Sequence, residues 1–172
     1  MQANKRKNSE RNYVVLHAGE LLFGKGDKTV STVLGSCVSV TLFHPKLKYS
    51  GICHFALPYP KNKDKDEFDP RYGSACFALF QLNAKKLHVK LNEFDANIIG
   101  GGNMFDDPTN TFIDSSERDT VGERNARMAL EQATKLQLNI QSIDVGEFGY
   151  RKLIFDTKTG ELTVTFNPNA LS

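Results

Sequence analysis

Nothing in this chain reads as a membrane anchor, a secretory leader or a disulfide scaffold. Its apolar runs fall far short of the ~20 residues needed to span a bilayer. Residues 1–12 carry charge but no apolar segment, so they do not read as a secretory signal. Cysteine is scarce: Cys37, Cys53 and Cys76 are odd in number, widely spaced and free of any Cys-x-x-Cys pair. That pattern argues against both a disulfide framework and a zinc site, and with no leader it points to a reducing cytoplasm. Charge of one sign is also lacking, since the chain nets only +2. Residues 1–12 hold Lys5, Arg6, Lys7 and Arg11 against Glu10, so the rest of the chain is slightly acidic. A folded part without basic excess argues against a nucleic-acid partner. The expected organisation is a basic, solvated tail over 1–12 and one domain over 13–172.

What is present suits a soluble domain. The chain has 172 residues, 40% hydrophobic and 24% charged, long enough to bury roughly 70% of its unfolded surface. No internal repeat or low-complexity linker divides it. Strand-like runs are expected at Tyr13–Ala18, Leu21–Phe23, Thr29–Leu34, Val38–Phe43, Gly51–Leu57, Phe94–Ile99 and Leu138–Val145. A terminal hairpin is expected from Leu153–Phe155 and Leu162–Phe166 around an Asp156–Gly160 turn. Helical spacing appears at Ala75, Ala78, Leu79 and Leu82, and again at Ala126, Ala129, Leu130 and Ala133. The second helix opens on Thr120-Val121-Gly122-Glu123, a capping-box pattern. Irregular chain is expected over 62–71 and 106–119. The sum is an α/β domain with mixed sheet and two main helices.

The sharpest chemical feature is Leu34-Gly35-Ser36-Cys37-Val38. A cysteine behind Gly-Ser sits on a turn where its sulfur can meet a substrate, and Gly35 allows backbone geometry that other residues resist. Backbone N–H groups around Gly35 and Ser36 could face a developing oxyanion. A free thiol needs a base at neutral pH. His54, inside Gly51-Ile52-Cys53-His54-Phe55-Ala56-Leu57-Pro58, is the best candidate. Alternation along a strand puts Cys53, Phe55 and Leu57 on one face and Ile52, His54 and Ala56 on the other. A hairpin of Val38–Phe43 with Gly51–Leu57 would bring His54 back beside Cys37. A third group usually orients such an imidazole; Thr32 and Ser31, in the strand before the turn, both offer a hydroxyl. The other candidates read as structural. His17, His44 and His88 flank turns or a helix, and Cys76 lies among core residues. Gly100-Gly101-Gly102 lacks the Lys-Ser/Thr of a phosphate loop, and reads as a close backbone approach. The acidic residues at 64–69 alternate with lysines and read as a solvated loop.

These residues resemble the chemoreceptor glutamine deamidase CheD family. The resemblance rests on Leu34-Gly35-Ser36-Cys37-Val38 followed by Gly51 to Pro58 with His54. It continues through Arg71-Tyr72-Gly73, Gly100 to Phe105, Gly122-Glu123-Arg124-Asn125, Arg151-Lys152 and the Phe155–Val164 hairpin. It implies a single-domain layered sandwich, similar to the catalytic domains of deamidating toxins. It also implies a protein-glutamine glutaminase activity on methyl-accepting chemoreceptor helices, without metal or organic cofactor. Cys37 then matches the nucleophile, His54 the base, and Thr32 the third residue, with Ser31 the alternative. Gly149-Tyr150-Arg151 departs from the family pattern, in which glycine directly precedes the arginine. The same resemblance allows a second use: an adaptor that binds the receptor or the phosphatase CheC with little catalysis.

Overall fold

The computed structural model describes residues 12–104 and 119–168. All but the last residue of the tail expected over 1–12, and all but the last residue of the irregular stretch expected over 106–119, lie outside them. Nine strands and two main helices follow one another among the described residues: β1 (Tyr13–Val15), β2 (Glu20–Lys25), β3 (Thr29–Leu34), β4 (Val38–Phe43), β5 (Tyr49–His54), α1 (Gly73–Lys86), β6 (Asp95–Gly100), α2 (Val121–Lys135), β7 (Asn139–Val145), β8 (Gly149–Asp156) and β9 (Leu162–Pro168). A single 3₁₀ turn, Leu91–Glu93, leads into β6.

The strands divide into two mixed sheets rather than one. One has the order β1-β3-β8-β9, the other β2-β5-β4-β6-β7. The helices cover one face of the five-stranded sheet, and the four-stranded sheet covers the other. Two apolar clusters record these layers. Val38, Val40, Leu42, Cys53 and Phe55 pack with Cys76, Phe77 and Phe80 of α1 and Met128, Ala129 and Ala133 of α2. Val30, Leu34, Phe43, Ile52, Ile99, Leu153 and Phe155 fill the space between the sheets. Covered on both faces, β4 is buried at all six positions. By contrast β8 alternates buried with exposed or half-buried residues, because its outer face meets solvent.

The helix ends are satisfied by different means. Thr120 accepts a bond from the Glu123 amide, and the Thr120 N–H donates to Glu123 Oε2 at 2.7 Å, so the capping box of α2 is formed. No side chain caps α1. Instead the Gly73 and Ser74 amides donate to the carbonyls of Leu57 and Pro58, at 2.8 and 3.0 Å, which ties the start of α1 to the segment just after His54. Buried positions of α2 include Gly122, Asn125, Ala126 and Ala129, small enough for the helix to lie close to the sheet. A Cβ on Gly122 would come within 2.4 Å of the Gly102 carbonyl oxygen, so the first turn of α2 rests directly on the three-glycine segment.

Candidate active site

Strand register decides what Cys37 and His54 can do together. β4 and β5 are antiparallel, with Thr41 opposite Ile52, and an isolated bridge between Val38 and Phe55 continues the same register. His54 therefore lies opposite Ser39, and Cys37 is one diagonal step away on the same face. Diagonal neighbours on an antiparallel pair stand roughly 7–8 Å apart or somewhat less at Cβ, within reach of a long side chain. The face is the one between the sheets, since Ile52 belongs to that cluster and Cys37 packs against it, while Cys53 and Phe55 point to the helices. The hairpin end opposite the His44–Lys48 turn thus carries both groups. Cys37 is half-buried, and His54 is buried.

A short relay fixes the imidazole. Thr32 Oγ1 donates to the Leu16 carbonyl at 2.7 Å, and stands 2.8 Å from His54 Nδ1. A threonine hydroxyl has one proton, and the Leu16 carbonyl takes it. His54 Nδ1 must then be the protonated nitrogen and donate to Thr32 Oγ1. Nε2 is left with a free lone pair, as a base requires. The bond crosses the sandwich, because Thr32 is on β3 of one sheet and His54 on β5 of the other. Ser31 is also buried, but alternation along β3 turns it to the opposite face, and no hydrogen bond joins it to His54. Of the two hydroxyls, only that of Thr32 reaches the imidazole.

Burial favours the neutral form of both groups. Burial pushes the Cys37 thiol above its ordinary value. Burial also holds the His54 imidazole below its own ordinary value. The Leu16 carbonyl and the Glu20 carboxylate oppose that shift, whereas His17 adds to it. Glu20 sits directly opposite His54 across the β2–β5 pair, a neighbour that the local sequence around His54 does not reveal.

The turn before Cys37 is held by its carbonyls. Gly102 N–H donates to the Gly35 oxygen at 2.9 Å, and Gly101 N–H to the Cys37 oxygen at 2.8 Å. Between them, Asn125 Nδ2 donates to the Ser36 oxygen at 3.0 Å and to the Ala56 oxygen at 2.9 Å. Among the described residues, the Ser36 and Cys37 amides donate no hydrogen bond. The expectation for Gly35 needs correcting: its φ is not positive. It is small because a Cβ there would come within 2.9 Å of Met104 Sδ. The unusual backbone belongs to Gly100, with φ +117°, where a Cβ would fall 2.2 Å from the Cys37 oxygen. The glycine run is the close backbone approach expected of it.

Arg151 and Asn125 carried no role in the reading of the residues. Arg151 is 1% exposed; its Nε donates to Asp144 at 2.9 Å, its Nη1 to the Gly146 oxygen at 2.7 Å, and its guanidinium lies over the Phe166 ring. It braces the β7–β8 connection. An asparagine among Gly122, Ala126 and Ala129 on the apolar stripe of α2 was a sign in the sequence that Asn125 has a job, as was its place in Gly122-Glu123-Arg124-Asn125. His44 is structural as expected, accepting from the Lys46 and Leu47 amides and facing Glu93.

Comparison with known proteins follows the same lines. A family model described as CheD chemotactic sensory transduction matches residues 56–166. A probable chemoreceptor glutamine deamidase CheD 3 of Dechloromonas aromatica is 34% identical over 162 residues, 94% of this chain and 92% of that protein. A probable chemoreceptor glutamine deamidase CheD of Pseudomonas syringae pv. tomato is 34% identical over 155 residues, 90% of this chain and 89% of that protein. A probable CheD 1 of Leptospira interrogans is 30% identical over 151 residues, 87% of this chain and 89% of that protein.

Proposed function

Since the chain belongs to the CheD family of chemotactic sensory transduction proteins, we propose that it is a protein-glutamine deamidase of bacterial chemotaxis. It hydrolyses side-chain amides of chemoreceptor glutamines to glutamate and releases ammonia. Cys37 is the nucleophile in this reading, His54 the base, and Thr32 the group that orients it. The observation that carries the reading is the Leu16–Thr32–His54 relay, which leaves Nε2 as a base on the face shared with Cys37. A protein that only bound its partner would have no need of that arrangement.

The chemistry then runs as follows. His54 Nε2 takes the thiol proton as the sulfur attacks the amide carbon. The oxyanion forms against the Ser36 and Cys37 amides. Nε2 returns the proton to the leaving nitrogen, ammonia departs, and a thioester remains. Water attacks the thioester, giving a proton to Nε2; the C–S bond breaks, and the sulfur recovers that proton. Acid–base assistance of this sort is worth ~10²–10⁴-fold. No helix among the described residues is long and apolar enough to cross a membrane, and the reading places the reaction on the cytoplasmic helices of the receptor. Leu57, Tyr59 and Phe68 are exposed along the segment that follows His54, and offer apolar contact to such a helix. The family phosphatase CheC is a second partner in this reading.

The test is intact-mass measurement of a purified receptor cytoplasmic domain incubated with the protein. Each converted glutamine adds about 1 Da, since –NH2 becomes –OH. No gain across a panel of receptors would remove the deamidase reading and leave the adaptor one.

Two further outcomes follow from the relay. During the reaction His54 becomes cationic, and a hydrogen bond to a charged group is worth about 1.5–3 kcal/mol. Thr32→Val should therefore lower kcat roughly 10–100-fold, whereas Thr32→Ser should keep most of it; steady-state rates on the same receptor distinguish them. The pH profile should be set by a neutral pair. As pH falls, His54 gains a proton and can no longer accept one, so activity is lost on the acid side. Because burial lowers the His54 pKa, that limb should have its midpoint below the ordinary 6.5. The thiolate absorbance of Cys37 should appear only above the ordinary 9.0. A thiolate already present at neutral pH would contradict the neutral pair.

A further inference from the structure

Asn125 is wholly buried, yet it lies outside the Cys–His–Thr group. Both of its hydrogen bonds are donated by Nδ2, one to the Ser36 oxygen and one to the Ala56 oxygen. One carbonyl lies just before the nucleophile, the other two residues beyond the base. Its Oδ1 is also buried and has no partner among the described residues. A leucine would fill similar space without burying an unpaired acceptor. What the asparagine adds is its donor group.

The consequence lies in the peptide planes. In a trans peptide the C=O and the following N–H point in opposite directions. Holding the Ser36 oxygen toward α2 turns the Cys37 N–H away from α2. Holding the Gly35 oxygen toward Gly102 does the same for the Ser36 N–H. Among the described residues neither amide has an acceptor, and the two lie side by side at the sulfur-bearing turn. From this arrangement we propose that Asn125 is the positioning residue of the oxyanion site: it orients the Ser36–Cys37 peptide so that the Cys37 N–H faces the developing negative charge. The inference rests on the deamidase reading above and adds to it the element that builds the hole.

The proposal separates two reactions at one sulfur. Alkylation by iodoacetamide displaces iodide at a saturated carbon and develops no oxyanion; it needs only the thiol and its base. Amide attack needs the hole. The full chain should be compared as wild type, Cys37→Ala, Asn125→Ala and Asn125→Leu, the last keeping the volume. Receptor deamidation is followed by intact mass, and alkylation site by site by peptide mapping. Buried Cys53 and Cys76 report on the fold, since they stay protected while the core is intact.

The expected result is a kcat lower by roughly 10²–10³-fold in both Asn125 variants, the loss typical of one oxyanion donor. KM, the alkylation rate of Cys37 and its pH profile should stay within about two-fold of wild type, with Cys53 and Cys76 still protected. Undiminished kcat would overturn the proposal. So would parallel loss of alkylation and deamidation, which would mean that Asn125 assembles the Cys–His pair. Exposure of Cys53 and Cys76 in both variants would overturn it too, by making Asn125 a determinant of the fold. A wild type that alkylates normally but deamidates no receptor would instead remove the deamidase reading, and this inference with it.

Discussion

Cys37→Ala should bring receptor deamidation below detection, a loss of about 10⁴-fold or more. Alanine leaves no atom to form the thioester, and no other described residue can replace it. Cys53 and Cys76 are buried and turned to the helix side of the five-stranded sheet. The imidazole and the two amides would still be present, but they act on a bond that no longer forms. His54→Ala should also bring a large loss, because burial keeps the thiol protonated and the proton acceptor is gone. Groups that act as one unit lose their effect together, so the double variant should be scarcely worse than either single one. Intact-mass measurement of the receptor checks all three. Residual turnover in Cys37→Ala comparable to wild type would mean that another group attacks the amide.

The second large effect is structural. Gly100→Ala should destabilise the protein by roughly 3–5 kcal/mol, combining a disfavoured backbone with a clash in a packed interior. Gly100 has φ +117°, a region that L side chains rarely adopt. The methyl group would meet the Cys37 carbonyl oxygen at 2.2 Å and Val38 Cα at 3.1 Å. Both are backbone, so no side chain can swing aside. β4 and β6 would have to separate where Val38 pairs with Gly100, and the Gly101 bond to the Cys37 carbonyl would move with them. Urea unfolding should show the lower midpoint, and activity should fall further than the unfolded fraction explains, because the cysteine turn itself is displaced. A wild-type midpoint would show that the ladder can accommodate the methyl group. In contrast, Gly26 has open space around its Cβ position and no positive φ, so not every glycine of this chain is sensitive.

Much of the site was legible in the residues. Period-2 alternation assigned Cys53, Phe55 and Leu57 to one face and His54 to the other; the register agrees for Cys53, Phe55 and His54, whereas β5 ends at His54 and Leu57 is exposed. Short apolar runs interrupted by Gly35-Ser36 and His44-Pro45 bounded β3 and β4, and the hairpin followed from their spacing. The capping box placed the start of α2. The helix expected from Ser74 to about Leu87 is α1, Gly73–Lys86, although the Leu57 and Pro58 carbonyls that satisfy its first amides leave no mark in the residues of the helix. Gly35 was read for its backbone freedom, whereas its smallness serves the close approach of Met104.

What the sequence alone determined, then, is which residues are available and which way each one faces along its own element. Side-chain alternation and helical spacing are local, fixed by backbone geometry within a few residues. Only the tertiary structure decided which elements meet. It split the strands into two sheets, so that Thr32 of one reaches His54 of the other, and it brought Leu16 to take the threonine proton. It laid α2 on the glycine run, so that Asn125 joins the Ser36 and Ala56 carbonyls. Such partners lie tens of residues apart in sequence, 89 for Asn125 and Ser36. Hydrogen bonds and packing choose them across the assembled core, and neither leaves a periodic trace in the chain that forms it.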